Sequence, residues 1–194
     1  MSTYEQNARV IEDDLKWLQS IIEYRIENFI TKQTGEIDAP ASDINETGVF
    51  YANFLQEHGL TADERKVVLL ALAPEVQPEL LDRFFIRNNT FDKIYSEFGG
   101  ISVPSFNGFI PTHKTALFVL GGPQLSEQLK YTAVLDKLYA ANILTKNKTQ
   151  DYSPANHRKL TLSDSALSYI LTGEDIPYEY SSDFPARRLT TLME

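Results

Sequence analysis

Apolar residues recur at steps of three and four over the first thirty positions of the chain. Ile11, Leu15, Leu18, Ile22, Ile26 and Phe29 line one face of a helix, and Val10, Ile21 and Ile30 widen that stripe. Glu5, Glu12, Asp13, Glu23 and Glu27 fall mostly on the other side. Trp17 lies off the stripe, where it can meet a neighbouring element, and Gly35 is the expected stop. From Gly35 to Gly48 the pattern lapses. Glu36, Asp38, Asp43 and Glu46 occur there with Pro40 and no lysine or arginine, which predicts an acidic, apolar-poor, mobile loop. A second helix is expected from about Thr47 to His58, burying Val49, Phe50, Phe54 and Leu55 and ending at Gly59.

Thr61-Ala62-Asp63-Glu64 has the spacing of a capping box, in which hydroxyl and carboxylate each satisfy the other residue's amide. The helix it starts holds the run Val67-Val68-Leu69-Leu70-Ala71-Leu72-Ala73, apolar on nearly every face and therefore central to the core. Pro74 is the expected stop. Pro78 suits the first turn of a further helix carrying Leu80, Leu81, Phe84 and Phe85. Gly99-Gly100, Pro104, Gly108 and Pro111 then break any long pattern, while Phe91, Ile94, Tyr95, Phe98, Phe106 and Phe109 predict a packed loop with short turns.

Thr112 is placed to cap a short helix with Ala116, Leu117, Phe118 and Leu120, ended by Gly121-Gly122-Pro123. Ser126 begins another, with Leu129, Ala133, Leu135 and Leu138 on its apolar side. Residues 143–146 and 159–162 predict two antiparallel strands, joined by a polar loop with Asn147, Pro154 and Asn156. Ser163 caps a last helix that buries Ala166, Leu167, Ile170 and Leu171 and stops at Gly173. From Glu174 to Glu194, Pro177, Pro185 and scattered tyrosines show no helical or strand period, which predicts an extended tail or linker. Tyr178, Tyr180 and Phe184 can pin its first half against the helices, with a mobile end from about Arg187.

The expected fold is mainly α: residues 1–173 as one multi-helix domain with a winged-helix-like helix-turn-helix and one small antiparallel β-hairpin, and 174–194 as the tail. No strand-helix-strand succession occurs, so a doubly wound α/β fold is not expected.

Composition narrows the function. The chain has 194 residues and a formal net charge of -9, which argues against a surface that grips phosphate backbones throughout. Cysteine is absent, which excludes disulfides, thiolate metal sites and thiol nucleophiles together. The start, Met1-Ser-Thr-Tyr-Glu-Gln-Asn, is polar and lacks the basic-then-apolar order of a targeting segment. The longest apolar run, Val67–Ala73, falls far short of the roughly 20 residues of a membrane helix. The expectation is a cytoplasmic protein that does not engage a membrane.

Motifs that carry chemistry are missing. There is no Gly-x-x-x-x-Gly-Lys-[Ser/Thr] phosphate loop, and Gly99-Gly100 and Gly121-Gly122 read as backbone turns. His58, His113 and His157 lie far apart without ligand spacing and read as exposed or capping residues. No Gly-x-Ser-x-Gly elbow occurs. The acid pairs Asp13-Asp14 and Glu174-Asp175 read as solvated charge rather than as a general acid and base. No catalytic residue, cofactor or metal is expected. One feature leans towards binding. The order helix, turn, helix, strand, loop, strand is that of a winged helix, and its wing is locally basic, with Lys146, Lys148, Arg158 and Lys159 against Asp151. Such cations can touch DNA phosphates, but the candidate recognition helix mixes Glu127 and Asp136 with Lys130 and Lys137. A solvated wing on a protein-binding winged helix is the preferred reading.

An ordered set of motifs carries a family resemblance over roughly residues 15 to 190. Residues 62–74, ADERKVVLLALAP, resemble the central motif of the N-terminal domain of AAA+ ATPases encoded with contractile, phage-tail-like injection systems. Residues 78–82 (PELLD), 98–100 (FGG), 108–112 (GFIPT) and 115–122 (TALFVLGG) come after it in that family's order. Residues 184–190, FPARRLT, resemble the segment leading into its ATPase domain. The resemblance implies a winged-helix variant serving as a non-catalytic interaction or adaptor domain. Its partners would be protein components of the injection system and, in a longer protein, its own ATPase ring. The ATPase itself is not in this chain, so none of its catalytic residues carries over. The alternative is a stand-alone winged-helix nucleic-acid binder.

Overall fold

A computed structural model describes residues 2–33, 35, 39–41, 44, 48–146 and 154–174. These residues are mainly helical, with two small antiparallel two-stranded sheets. The first helix, α1 (Thr3–Thr31), opens on a capping box between Ser2 and Glu5. It closes before Gly35, because Lys32 takes the left-handed conformation at φ 56°. The apolar stripe is buried from Val10 to Ile26. Phe29 then turns into an aromatic cluster, and Ile30, about 100° further round the helix, is left 48% exposed. Of the expected acidic loop, Ala39, Ala41 and Ile44 pack against the core, and the Trp17 indole N–H donates to the Ala39 carbonyl at 2.9 Å. The loop's four acids, Glu36, Asp38, Asp43 and Glu46, lie outside the described residues.

The second helix, α2 (Phe50–Glu57), starts later than the expected Thr47, which lies outside the described residues. In α3 (Ala62–Val76) the Thr61–Glu64 capping box forms as its spacing predicts. None of the seven side chains from Val67 to Ala73 is more than 4% exposed. They are surrounded by α1, by 3-10 turns over Pro78–Phe85, by α4 (His113–Gly121) and by α6 (Thr132–Ala140). Pro74 does not end this helix. Its fixed φ is helical, the loss of its donor and the crowding of its ring against the preceding turn are accommodated near the helix end, and the Gln77 amide still closes the last turn on the Ala73 carbonyl at 2.8 Å.

Two corrections concern the middle of the chain. The helix expected after Pro78 is a run of 3-10 turns, although Leu80, Leu81 and Phe84 are buried as expected. The expected packed loop holds two hairpins, β1 (Arg87–Asn88) with β2 (Lys93–Ile94) and β3 (Ile101–Val103) with β4 (Phe106–Ile110). Strands this short carry no readable alternation. The aromatics do pack: Phe84 stacks on Phe109 with centroids 4.8 Å apart, and Phe98 meets Phe118 at 4.9 Å. Phe91 is the exception at 68% exposure. Gly100 sits at φ 90°, and a Cβ there would lie 2.3 Å from the Phe109 ring, so both conformation and space demand glycine.

The helix expected from Ser126 is two, α5 (Leu125–Lys130) and α6, separated at Tyr131. The break turns Leu129 outward, 64% exposed, beside Leu125 at 68%, while Leu135 and Leu138 stay buried. The expected antiparallel segments meet as a single bridge, Leu144 with Leu162. It is flanked by Thr145 N–H donating to the Thr161 carbonyl at 3.0 Å and Ser163 N–H donating to the Ile143 carbonyl at 2.8 Å. The last helix, α7 (Asp164–Thr172), is capped by Ser163 and closed by Gly173, and packs on α2. The tail expectation falls on residues 175–194, outside the described ones.

The core is not wholly apolar. The pair Asp13-Asp14 divides: Asp13 is exposed and bonds Lys16, whereas Asp14 is fully buried, ion-paired to Arg65 and accepting from the Tyr51 hydroxyl. The solvated reading of Asp14 is therefore wrong, because neighbours from α2 and α3 replace its water. Arg65 also lies 5.1 Å over the Trp17 ring. Asn7 joins three helices, donating to the Ile170 carbonyl and accepting from the Tyr51 amide, each at 2.8 Å. No helix of the described residues is long and apolar enough to cross a membrane.

Candidate interaction surface

Two of the cations expected of a wing, Arg158 and Lys159, sit on a short extended run that pairs on two sides. Leu160 N–H donates to the Pro111 carbonyl at 2.9 Å and His113 N–H to the Arg158 carbonyl at 3.1 Å, with Thr112 bridged to Lys159. Further along, Leu162 bridges Leu144. Alternation in an extended chain sends Leu160 and Leu162 inward, 1% and 4% exposed, and turns Lys159 out. This run is thereby fastened to the start of α4. Thr112 caps that helix from a fully buried position, its hydroxyl accepting from the Thr115 amide.

Beneath the cations sits a pair that the sequence did not signal. His113 Nε2 and the Tyr139 hydroxyl share a hydrogen bond between α4 and α6, their rings 5.4 Å apart. Burial lowers the His113 pKa below its ordinary value, Arg158 and Lys146 push it further down, and Asp136 opposes them. Burial raises Tyr139, against Arg158. Both rings are thus held neutral under positive charge. Lys146 Nζ lies 5.4 Å over the Tyr139 ring. The expectation of an exposed or capping histidine misses this contact, because Tyr139 is 26 residues away in sequence.

Lys146, Arg158 and Lys159 are exposed, and none of them has a carboxylate of the described residues within ion-pair distance. Lys148 lies outside the described residues. Several other cations are paired, as in Lys66–Asp63 at 2.8 Å, Lys130–Glu127 at 2.8 Å and Lys137–Glu64 at 2.6 Å. On a chain of net charge -9 this leaves a local cationic surface. Chemically it can hold a carboxylate or phosphate. The outer face of α6 adds little to it, since Asp136 is acidic and Lys137 is taken by Glu64. Among the described residues no three His, Asp or Glu side chains converge as a metal site. His58 packs on Phe54, and His157 lies in a 3-10 turn.

Compared with protein-family models, curated proteins and solved structures, the chain matches none.

Proposed function

We propose that this chain is a non-catalytic N-terminal protein-interaction or adaptor domain of an AAA+ ATPase of a contractile injection system, and that its cationic wing docks an acidic face of a protein partner. The motif set supports the ATPase setting. Its residues build framework: 62–74 are the buried helix α3, 98–100 the aromatic turn, and 108–122 the end of β4 and all of α4. The observation that carries the docking surface is that three exposed cations, Lys146, Arg158 and Lys159, gather around the start of α4 on a chain of net charge -9, none with an ion-pair partner among the described residues. Cations without a carboxylate partner lose least on meeting an anionic one.

The test is capture of purified injection-system components by the wild-type domain and by a Lys146→Glu, Arg158→Glu, Lys159→Glu variant. Retention that falls with the charge reversal and with added salt supports the proposal. Retention indifferent to both overturns the wing as the docking surface. The same cations favour one second reading, a nucleic-acid binder. Duplex binding that is sequence-specific near about 10 nM at physiological salt, the range of true regulators, would promote it.

A further inference from the structure

A groove of about 680 Å³ runs beside the first half of α1, on a part of the molecule built from other elements than the wing. Its floor is the α1 stripe from Tyr4 through Ile11 to Lys16, and Val76 of α3 and Leu171 of α7 complete it. Two of these apolar side chains are left open, Tyr4 at 60% and Val76 at 39% exposure. The stripe spans about 18 Å at the helical rise per residue.

The last described residues leave α7 at the mouth of this groove. Leu171 lines it, and the Gly173 backbone presses on Phe50, where a Cβ would be 2.5 Å from the ring. Tyr4 packs edge-on against the same Phe50 ring at 5.5 Å. The sequence beyond Glu174 suits an extended occupant. Ile176, Tyr178 and Tyr180 alternate with Pro177 and Glu179, too few residues to set a period alone but enough to give an extended segment one apolar edge. From residue 174 to 180 such a segment spans about 20 Å, the length of the stripe. Its acids Asp175 and Glu179 then face away from Glu12 and Glu79, which also line the groove.

We propose that residues 174–180 of this same chain lie along the groove, with Ile176, Tyr178 and Tyr180 as their apolar edge over Tyr4 and Val76. Tethering favours this occupant over a free one, because a segment joined by a few residues acts at an effective concentration on the order of millimolar.

The chain has no cysteine, so one introduced thiol reports cleanly. A nitroxide on Ser181→Cys is expected to remove methyl NMR intensity at Ile11, Val76 and Leu171 while sparing Leu125, Leu129 and Ile30. Val76→Asp, at an exposed helix end, should abolish that loss with helical content unchanged. Three results would overturn the proposal. The first is intensity retained at Ile11, Val76 and Leu171. The second is intensity lost at Leu125 and Leu129 instead. The third is intensity lost on an unlabelled, isotope-labelled copy mixed with the spin-labelled one, which would make the occupant a second molecule. None of these readouts depends on the wing or on any ATPase.

Discussion

The Tyr51 hydroxyl donates to Asp14 Oδ2 at 2.7 Å in a place where both residues are wholly inaccessible to water. Arg65 closes the same carboxylate from α3. Burial, and after it the Asp14 charge, drives the Tyr51 pKa well above its ordinary value, so the phenol remains a donor. Burial pulls Arg65 down, but the hydrogen bonds and charge of Asp14, with Tyr51, together more than offset this. Removing one member strands the others. Asp14→Ala is expected to destabilise the fold by about 3–5 kcal/mol, the cost of an uncompensated buried charge. Denaturant unfolding measures it, and a loss no larger than that of an exposed-site control such as Asp13→Ala would contradict the buried network.

Asn7 offers a second test. Truncation to alanine leaves the Tyr51 amide and the Ile170 carbonyl without partners, at a cost of about 1–3 kcal/mol for buried unsatisfied groups. Hydrogen exchange should rise first in α7, which loses its polar tie to α1.

The centre of the core is α3. Leu69→Ala or Leu70→Ala should each cost about 2–5 kcal/mol through the cavity left behind, since both sit at 1% exposure or less. Leu129→Ala, on the open face of α5, should stay within about 0.5 kcal/mol. Thermal or denaturant midpoints of the three variants decide whether the two helices have these opposite roles.

The readable parts of the fold were those with local causes. The α3 capping box and buried run, the Thr112 and Ser163 caps and the helix stops at Gly122 and Gly173 each arise from residues within a few positions of one another. What escaped depends on distant partners. Asp14 looked solvated because Arg65 and Tyr51 are remote in sequence, and His113 looked solitary because Tyr139 is. Two-residue strands such as β1 and β2 leave no period, and Pro74 reads as a stop although the helix runs two residues past it to Val76. Lys146, Arg158 and Lys159 were legible as a basic cluster; that they lack ion-pair partners among the described residues was not.

His113 gives the fold a signature in acid. Above its ordinary value of 6.5 neither folded nor unfolded chain binds a proton there. As pH falls through that value the unfolded chain protonates first, because burial, Arg158 and Lys146 hold the folded pKa lower. Stability therefore declines with acid until the folded pKa is passed. His113→Gln keeps a group able to bond Tyr139 and removes the titration. The stability gap between wild type and variant should shift against the wild type between about pH 7.5 and about pH 5. Unfolding curves at both values check this, and a gap independent of pH would contradict it.

The bond from Asn7 to Ile170 spans 163 positions. On the ribosome α1 is made first and waits for nearly the whole domain before its buried amide finds its acceptor. Helices that emerge earlier can form turns and capping boxes, but a core that closes its first element on its last cannot be completed in instalments. Until α7 clears the exit tunnel, α2 lacks the helix that packs on it and Asn7 lacks its acceptor, although the α1 stripe already has α2, α3 and α4 to cover it. Nascent chains that pause before this point are the ones that will need a chaperone.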